Sequence, residues 1–216
     1  LRLCDLQVAP RSREEMEAIA GLAARMGLRV IGVEAPEPEA ARALAGVARR
    51  HGLEAYTRIT IEARDWGEAQ RLIASLHQRY DIVAVRPRTA EAARLAARDP
   101  RVALVQLPPG MARYMDKSQA LMLREGGSVV EIRLLPLLRG GDPRAALRGV
   151  MIIARRAAAY GAAFTVSSGA RTRWELWPPA SARALLEALG VPAPLAKAAL
   201  TAYCGQALLK ALGGGR

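Results

Sequence analysis

Val166-Ser167-Ser168-Gly169-Ala170-Arg171, with Arg173 two residues on, decides how this chain is read. The apolar run Ala162–Val166 stops abruptly in two hydroxyls and a glycine, and arginines follow. In a parallel α/β protein that is the carboxyl end of a strand opening into a loop, the end where such folds place their working residues. Ser167 and Ser168 are small donors, Gly169 permits a close backbone approach, and the arginines carry charge suited to phosphate. A Ser-Ser-Gly turn is also ordinary strand-to-helix punctuation, so its meaning depends on the rest of the chain.

Working outward, short branched runs begin near Leu3, Arg29, Tyr56, Ile82, Val102, Val129 and Phe164, in steps of 26, 27, 26, 20, 27 and 35 residues. A strand with its crossover helix occupies about 25–35 residues, so the spacing predicts a βα repeat. The runs are near-continuous, as expected of strands covered on both faces. Between them lie amphipathic patterns: Met16, Ile19, Ala20, Ala23 and Ala24; Ala69, Leu72, Ile73 and Leu76; Leu147, Val150, Met151, Ala154 and Ala158. Ser12 with Glu15 predicts a capping box, and Asp142-Pro143 an N-cap with proline in the first turn. Beyond Ala170 the alternation ends: one helix is expected over 181–189 and another from Pro192 to about Leu212, burying Leu195, Ala198, Ala199 and Ala202. The expectation is an α/β fold, an irregular TIM-like (β/α) barrel of about seven parallel strands with flanking helices and a C-terminal helical tail. It forms a single domain over 1–212 with a flexible tail at 213–216; a doubly wound open sheet is the competing architecture.

Composition narrows the function. The formal net charge is +12. Residues 1–108 hold 17 Arg/Lys against 14 Asp/Glu, whereas residues 109–216 hold 15 against 6, so the excess sits in the half with the Ser-Ser-Gly loop. A polyanion is the natural partner for that field. With only nine aromatic residues there is no stacking ladder for single strands, which favours structured RNA or DNA read by shape and backbone. Cys4 and Cys204 suggest neither a disulfide framework nor a zinc cluster, and a reducing, cytoplasmic setting is expected. Leu1–Val8 is too short for a signal peptide, and 150–166, broken by Arg155 and Arg156, is too short for a membrane span.

Catalysis is poorly supplied. His51 and His77 stand alone on helices, without partners at metal-ligand spacing. No phosphate-binding loop, nucleophile elbow or dinucleotide fingerprint occurs. Asp5, Glu34, Glu62, Asp116 and Glu131 lie near strand ends, where they either gather in a barrel mouth or pair with arginine. We expect no catalytic residues, no metal and no cofactor. The basic residues are better placed: Arg86, Arg88 and Arg94 follow one strand, Arg113 and Lys117 the next, and Arg171 and Arg173 follow Ser167 and Ser168. These residues, Ser167 and Ser168 included, are the expected RNA contacts; if the barrel reading holds, the three arginine and lysine groups share one rim, with Lys197, also an expected contact, and Lys210 of the tail bordering it.

Ser167-Ser168-Gly169-Ala170, Glu175-Leu176 before a proline, Gly190 and Ala196-Lys197-Ala198-Ala199 resemble the closing signature of ribonuclease P protein component 3, found in archaea and eukaryotes. Cys4-Asp5-Leu6, Met115-Asp116 and Val130-Glu131-Ile132 leading to Leu135–Leu138 agree. The resemblance implies an irregular TIM-like barrel without catalysis of its own, inside a ribonucleoprotein whose RNA removes the 5′ leader from precursor tRNA. It implies partnership with component 2 as a two-plus-two assembly, with other ribonuclease P proteins, and RNA contacts near Arg94, Lys117 and Lys197. Where the family often carries an arginine before the penultimate helix, this chain has Trp177. Either the RNA contact there is lost, or Arg171 and Arg173 have taken it over, or Trp177 packs on a sugar or partner or in the core. The alternative reading is a metal-dependent phosphoesterase of related barrel architecture. Leu134–Leu138 is a candidate face for the small partner.

Overall fold

The computed structural model describes residues 2–213; of the tail expected at 213–216, residues 214–216 lie outside them, and Gly213 is the last residue of the final helix. Seven strands are all parallel and paired in chain order: β1 Cys4–Val8, β2 Val30–Glu34, β3 Glu54–Ala63, β4 Ile82–Pro87, β5 Leu104–Gln106, β6 Val129–Arg133 and β7 Phe164–Ser167. A doubly wound sheet would reverse its order at a switch point; here the order never reverses. Instead, Ala170 bridges Val8, and Gly169 N–H donates to Gln7 O at 2.9 Å. The quoted stretch therefore closes the barrel on its first strand.

Helices alternate with the strands: α1 Arg13–Arg25, α2 Pro38–Arg50, α3 Trp66–Leu76, α4 Ala90–Arg98, α5 Lys117–Gly126, the short α6 Leu135–Leu138, and α7 Pro143–Ala159. Three follow as the tail: α8 Pro179–Ala188, α9 Ala193–Ala199 and α10 Ala202–Gly213. The caps form as the residues dictate. Ser12 accepts from Glu15 N–H while the Glu15 carboxylate takes Arg11 N–H, and Asp142 Oδ1 accepts from Arg144 and Ala145 N–H.

Two helical faces are rotated from expectation. On α7 the buried set is Ala146, Gly149, Val150, Ile153, Ala154 and Ala157, while Leu147 is exposed. Gly149 sets this rotation: a Cβ there would lie 2.5 Å from Pro109, so the helix seats its glycine on that proline. On α3, Leu72 likewise faces outward. The single helix expected from Pro192 is two. It breaks at Leu200–Thr201, where Leu200 O accepts Cys4 N–H at 3.1 Å and Ala199 O accepts Thr165 Oγ1 at 2.8 Å. That break lets α10 turn beneath the barrel.

Strand alternation divides the side chains cleanly. Outward residues such as Ile31, Val33, Ile61, Val83, Val85, Val105, Val130, Ile132, Phe164 and Val166 pack on the helices. Inward residues near the strand starts, Cys4, Leu6, Val30, Ile82, Ala84, Leu104 and Val129, meet Cys204 and Ala207 of α10, which plugs the N-terminal end. Contrary to expectation, Cys4 and Cys204 are joined in a disulfide there, their Cα atoms 6.5 Å apart. Among the described residues no helix is long and apolar enough to cross a membrane.

Candidate nucleic-acid interface

Above the apolar plug the barrel interior turns polar. Arg58, fully buried, donates through Nη1 to Glu131 Oε1 (2.6 Å) and Leu6 O (2.7 Å), pairs Nη2 with Glu131 Oε2 (2.5 Å), and sets Nε 3.3 Å from Glu34 Oε2. Gln106 Nε2 donates to Gln7 Oε1 and to Glu131 Oε2, Gln7 donates to Glu34, and Ser167 Oγ donates to Glu131. Burial pushes the Glu131 carboxyl up, but the Arg58 charge and these hydrogen bonds outweigh it and hold the group below its usual range. Four of the five strand-end carboxylates pair with arginine, Glu34 and Glu131 with Arg58 among them. Glu62 is shared by Arg86 and Arg88, and Asp116 pairs with Arg94. Among the described residues no three His, Cys, Asp or Glu side chains group as metal ligands would.

Among the described residues Asp5 has no cation of its own. Its carboxylate accepts Gln7 N–H and Ser168 N–H, and burial pushes it to about 6 against those bonds, with the Glu131 charge adding to the rise. A raised acid stabilises the fold while protonated. That contribution is complete below the unfolded value of 3.8 and is lost as pH rises through about 6. Asp5→Asn keeps the acceptor and abolishes the charge, so it should stabilise the protein at pH 7.5 by up to about 3 kcal/mol. The gain should vanish near pH 4; urea unfolding at both pH values measures it.

The expected RNA contacts do not share one rim. Arg86 stands one residue before the end of β4, donating to Gln106 Oε1 (2.7 Å) and Glu62 Oε1 (2.8 Å), and Arg88 sits beside it on the same carboxylate. Arg171 and Arg173 follow β7, with Arg171 N–H held by Glu175. All four follow the carboxyl ends of their strands; Arg86 and Arg171 come near Arg133 there, while Arg173 sits on a short turn packed against α1. Arg94 and Lys117 lie on the outer ring, where the Arg94–Asp116 pair joins α4 to the N-cap of α5. Arg113 is on the outer flank too: it lies over the Tyr114 ring at 4.7 Å, and its carbonyl accepts from Arg156 near the end of α7. Lys197, exposed on α9, borders a cleft of about 490 Å³ with Leu3, Pro179, Arg183 and Thr201, away from the mouth.

Ser167 and Ser168, expected as RNA contacts, have almost no exposed surface to offer. Both are buried; Ser167 spends its hydroxyl on Glu131, and Ser168 Oγ accepts Ala170 N–H at 3.1 Å. Leu134 and Leu135 are likewise buried, leaving Leu138 as the exposed leucine of that run. Trp177 is partly buried against the main core, so the tryptophan next to the prolines packs inward. Two residues were missed. Trp174 is 78 % exposed under the Arg173 guanidinium, 4.5 Å from its ring centre, a surface suited to an unpaired base or a sugar. Arg133 ends β6 on the same strand face as Glu131, which the Glu131-x-Arg133 spacing itself signals.

Known proteins agree with this architecture. A chain of an archaeal ribonuclease P solved by cryo-electron microscopy with mature tRNA shares the fold, at a TM-score of 0.79 and 13 % identity over 95 % of this chain and 90 % of that one. Ribonuclease P protein component 3 of Aeropyrum pernix is 32 % identical over 197 residues, 88 % of this chain and 89 % of the relative. The family described as RNase P subunit p30 matches residues 2–213, nearly the whole barrel and its tail, and the chain belongs to that family.

Proposed function

We propose that this chain is an RNA-binding, non-catalytic subunit of a cytoplasmic ribonuclease P, supporting a catalytic RNA that removes the 5′ leader from precursor tRNA. The observation that carries the reading is family membership across the whole barrel, joined to a barrel in which Glu34, Glu62 and Glu131 are held by arginine and to a chain of net charge +12. Glu34, Glu62, Asp116 and Glu131, which a phosphoesterase would need for metal or acid–base chemistry, are ion-paired. The surface contacts proposed are Arg88, Arg94, Arg113, Lys117, Arg173 and Lys197, with Trp174 beside them. A small protein partner, component 2, is proposed to join the chain as a two-plus-two assembly, which native mass spectrometry of the mixed proteins tests.

Binding to the cognate RNA should weaken steeply with salt. Each neutralised contact, Lys117→Ala, Arg173→Ala or Lys197→Ala, should lower the slope of log K against log[salt] by about 0.7–0.9. Trp174→Ala should weaken binding by about 1–3 kcal/mol if it stacks on a base, with little change of slope. Filter binding of the protein, alone and with its small partner, from 50 to 400 mM salt reads both. No salt-dependent binding even with the partner present would overturn the assignment.

A further inference from the structure

Among the described residues Arg133 has no counter-ion. Its Nε is buried without a hydrogen-bond partner, and among the described residues no carboxylate lies within ion-pair distance of it. Every other arginine brought into the barrel or its mouth by a strand is paired: Arg58 with Glu131, Arg86 with Glu62 and Gln106. Burial, then the neighbouring charge of Arg86, presses Arg133 below the ordinary arginine value; Arg171 adds to this, while Glu34 and Glu131 oppose it.

The surroundings fix the side chain in place. Gly169 (φ +67°) lies directly against it: a Cβ there would collide with Nε and stand 2.9 Å from Cγ. This close approach, between a loop backbone and an arginine side chain, is what the glycine of the barrel-closing stretch permits. Arg86 arrives from β4, Arg133 from β6 and Arg171 from the segment after β7, so three cations reach one end of the barrel from different directions. Glu62, the acid at that end, is already shared by Arg86 and Arg88. A charge held partly buried without an acceptor is costly, and an external anion supplies what the protein does not.

We propose that the C-terminal mouth is a phosphate-binding site in which Arg133 is the central ligand and Arg86 and Arg171 flank it. Several guanidinium forks suit the oxygens of a tetrahedral phosphate better than they suit a planar carboxylate. The carboxyl end of the strands is also where barrels of this kind hold phosphates. The phosphate is either that of an RNA backbone or that of a free phosphorylated molecule. The site does not depend on the RNA reading, since inorganic phosphate alone probes it.

The experiment is calorimetric titration of the full chain with inorganic phosphate, against chloride at matched ionic strength. Saturable binding is expected, weakened at least tenfold by Arg133→Met and severalfold by Arg86→Gln or Arg171→Gln, with Arg42→Gln on α2 as an unaffected control. The two flanking variants carry the test if Arg133→Met does not fold. Binding no stronger than that of chloride, or unchanged in the folded variants, overturns the site. Repeating the titration with cognate RNA bound separates the sources. A backbone phosphate excludes inorganic phosphate, and Arg133→Met then lowers the salt slope by about 0.7–0.9. A free phosphorylated ligand leaves phosphate binding and RNA slope unaffected by each other. Failure of RNA binding alone would remove the proposed function and leave the phosphate site standing.

Discussion

Arg58→Met should cost about 3–5 kcal/mol of folding stability at neutral pH, the expected penalty for breaking a buried pair by removing one partner. Both Arg58 and Glu131 are fully buried, so without the guanidinium the carboxylate has neither water nor a cation. Gln106 Nε2 and Ser167 Oγ still reach Glu131, and two neutral donors do not replace a bidentate charged one. Leu6 O and Glu34 lose partners as well. The pH dependence gives a second signature. In the native protein Glu131 is held below its usual range, so the pair stabilises the fold at neutral pH and loses this as pH falls through the folded value. In the variant, burial without Arg58 raises the same carboxyl. The deficit should therefore be widest near pH 7 and narrow in acid. Arg58→Met with Glu131→Leu should recover most of the loss, because a packed apolar pair no longer strands a charge. Guanidinium chloride unfolding of the three proteins at pH 7 and pH 5 measures this; a single-variant cost below about 1 kcal/mol at pH 7 would show that the pair does not hold the barrel.

Arg58 also shows where sequence reading stops. The branched runs place all seven strands within about two residues of their observed starts, because strand-plus-helix length is fixed by backbone geometry. Their near-continuous apolar runs predict strands covered on both faces, and they are, but by different chemistry. The outer positions meet helices, while the inner positions at the strand ends meet one another. Arg58, Thr60 and Glu62 on β3, and Glu131 and Arg133 on β6, carry that polar inner face at a spacing of two. The period is visible in the sequence; which side faces the axis is not, since that depends on closure. Ser167 and Ser168 fail for the same reason. A hydroxyl donor suits an external phosphate and an internal carboxylate equally, and only the fold reveals that Glu131 lies within reach. The tail misled differently. Nothing in Leu200-Thr201 forbids a helix, and the break comes from Cys4 and Thr165, far away in the chain, claiming the carbonyls of Leu200 and Ala199.

The same tail carries the other large effect. Replacing Cys4 and Cys204 with serine, or reducing their bond, should destabilise the protein by about 3–5 kcal/mol, since cross-links spanning long stretches restrict the unfolded chain most. The bond joins residues 200 apart in sequence, tying the first strand to the last helix. Its site magnifies the consequence: α10 is the plug of the barrel, and Cys204 and Ala207 complete the apolar layer with Leu6, Ile82, Leu104 and Val129. Beyond the disulfide, Lys210 pins the helix by donating to Asp99 O (3.1 Å), Gly126 O (2.7 Å) and Ser128 Oγ (2.7 Å), serving carbonyls where α4 and α5 end. Reduction should therefore loosen α10 without releasing it, and adding Lys210→Met should release it. The midpoint of denaturant unfolding, with and without reductant and with thiols counted, reads the first effect; the Cys4→Ser, Cys204→Ser double variant should ignore reductant altogether. A wild-type midpoint that stays fixed after both thiols titrate free would show that packing and Lys210 hold the plug without the bond. A cross-link of this kind is unusual in mesophile cytosol and common inside hyperthermophile cells, so its stabilisation should matter most at high temperature. Because the bond lies at the end of the barrel opposite Arg86, Arg133 and Arg171, reduction should leave phosphate binding at 25 °C unchanged while lowering the unfolding temperature.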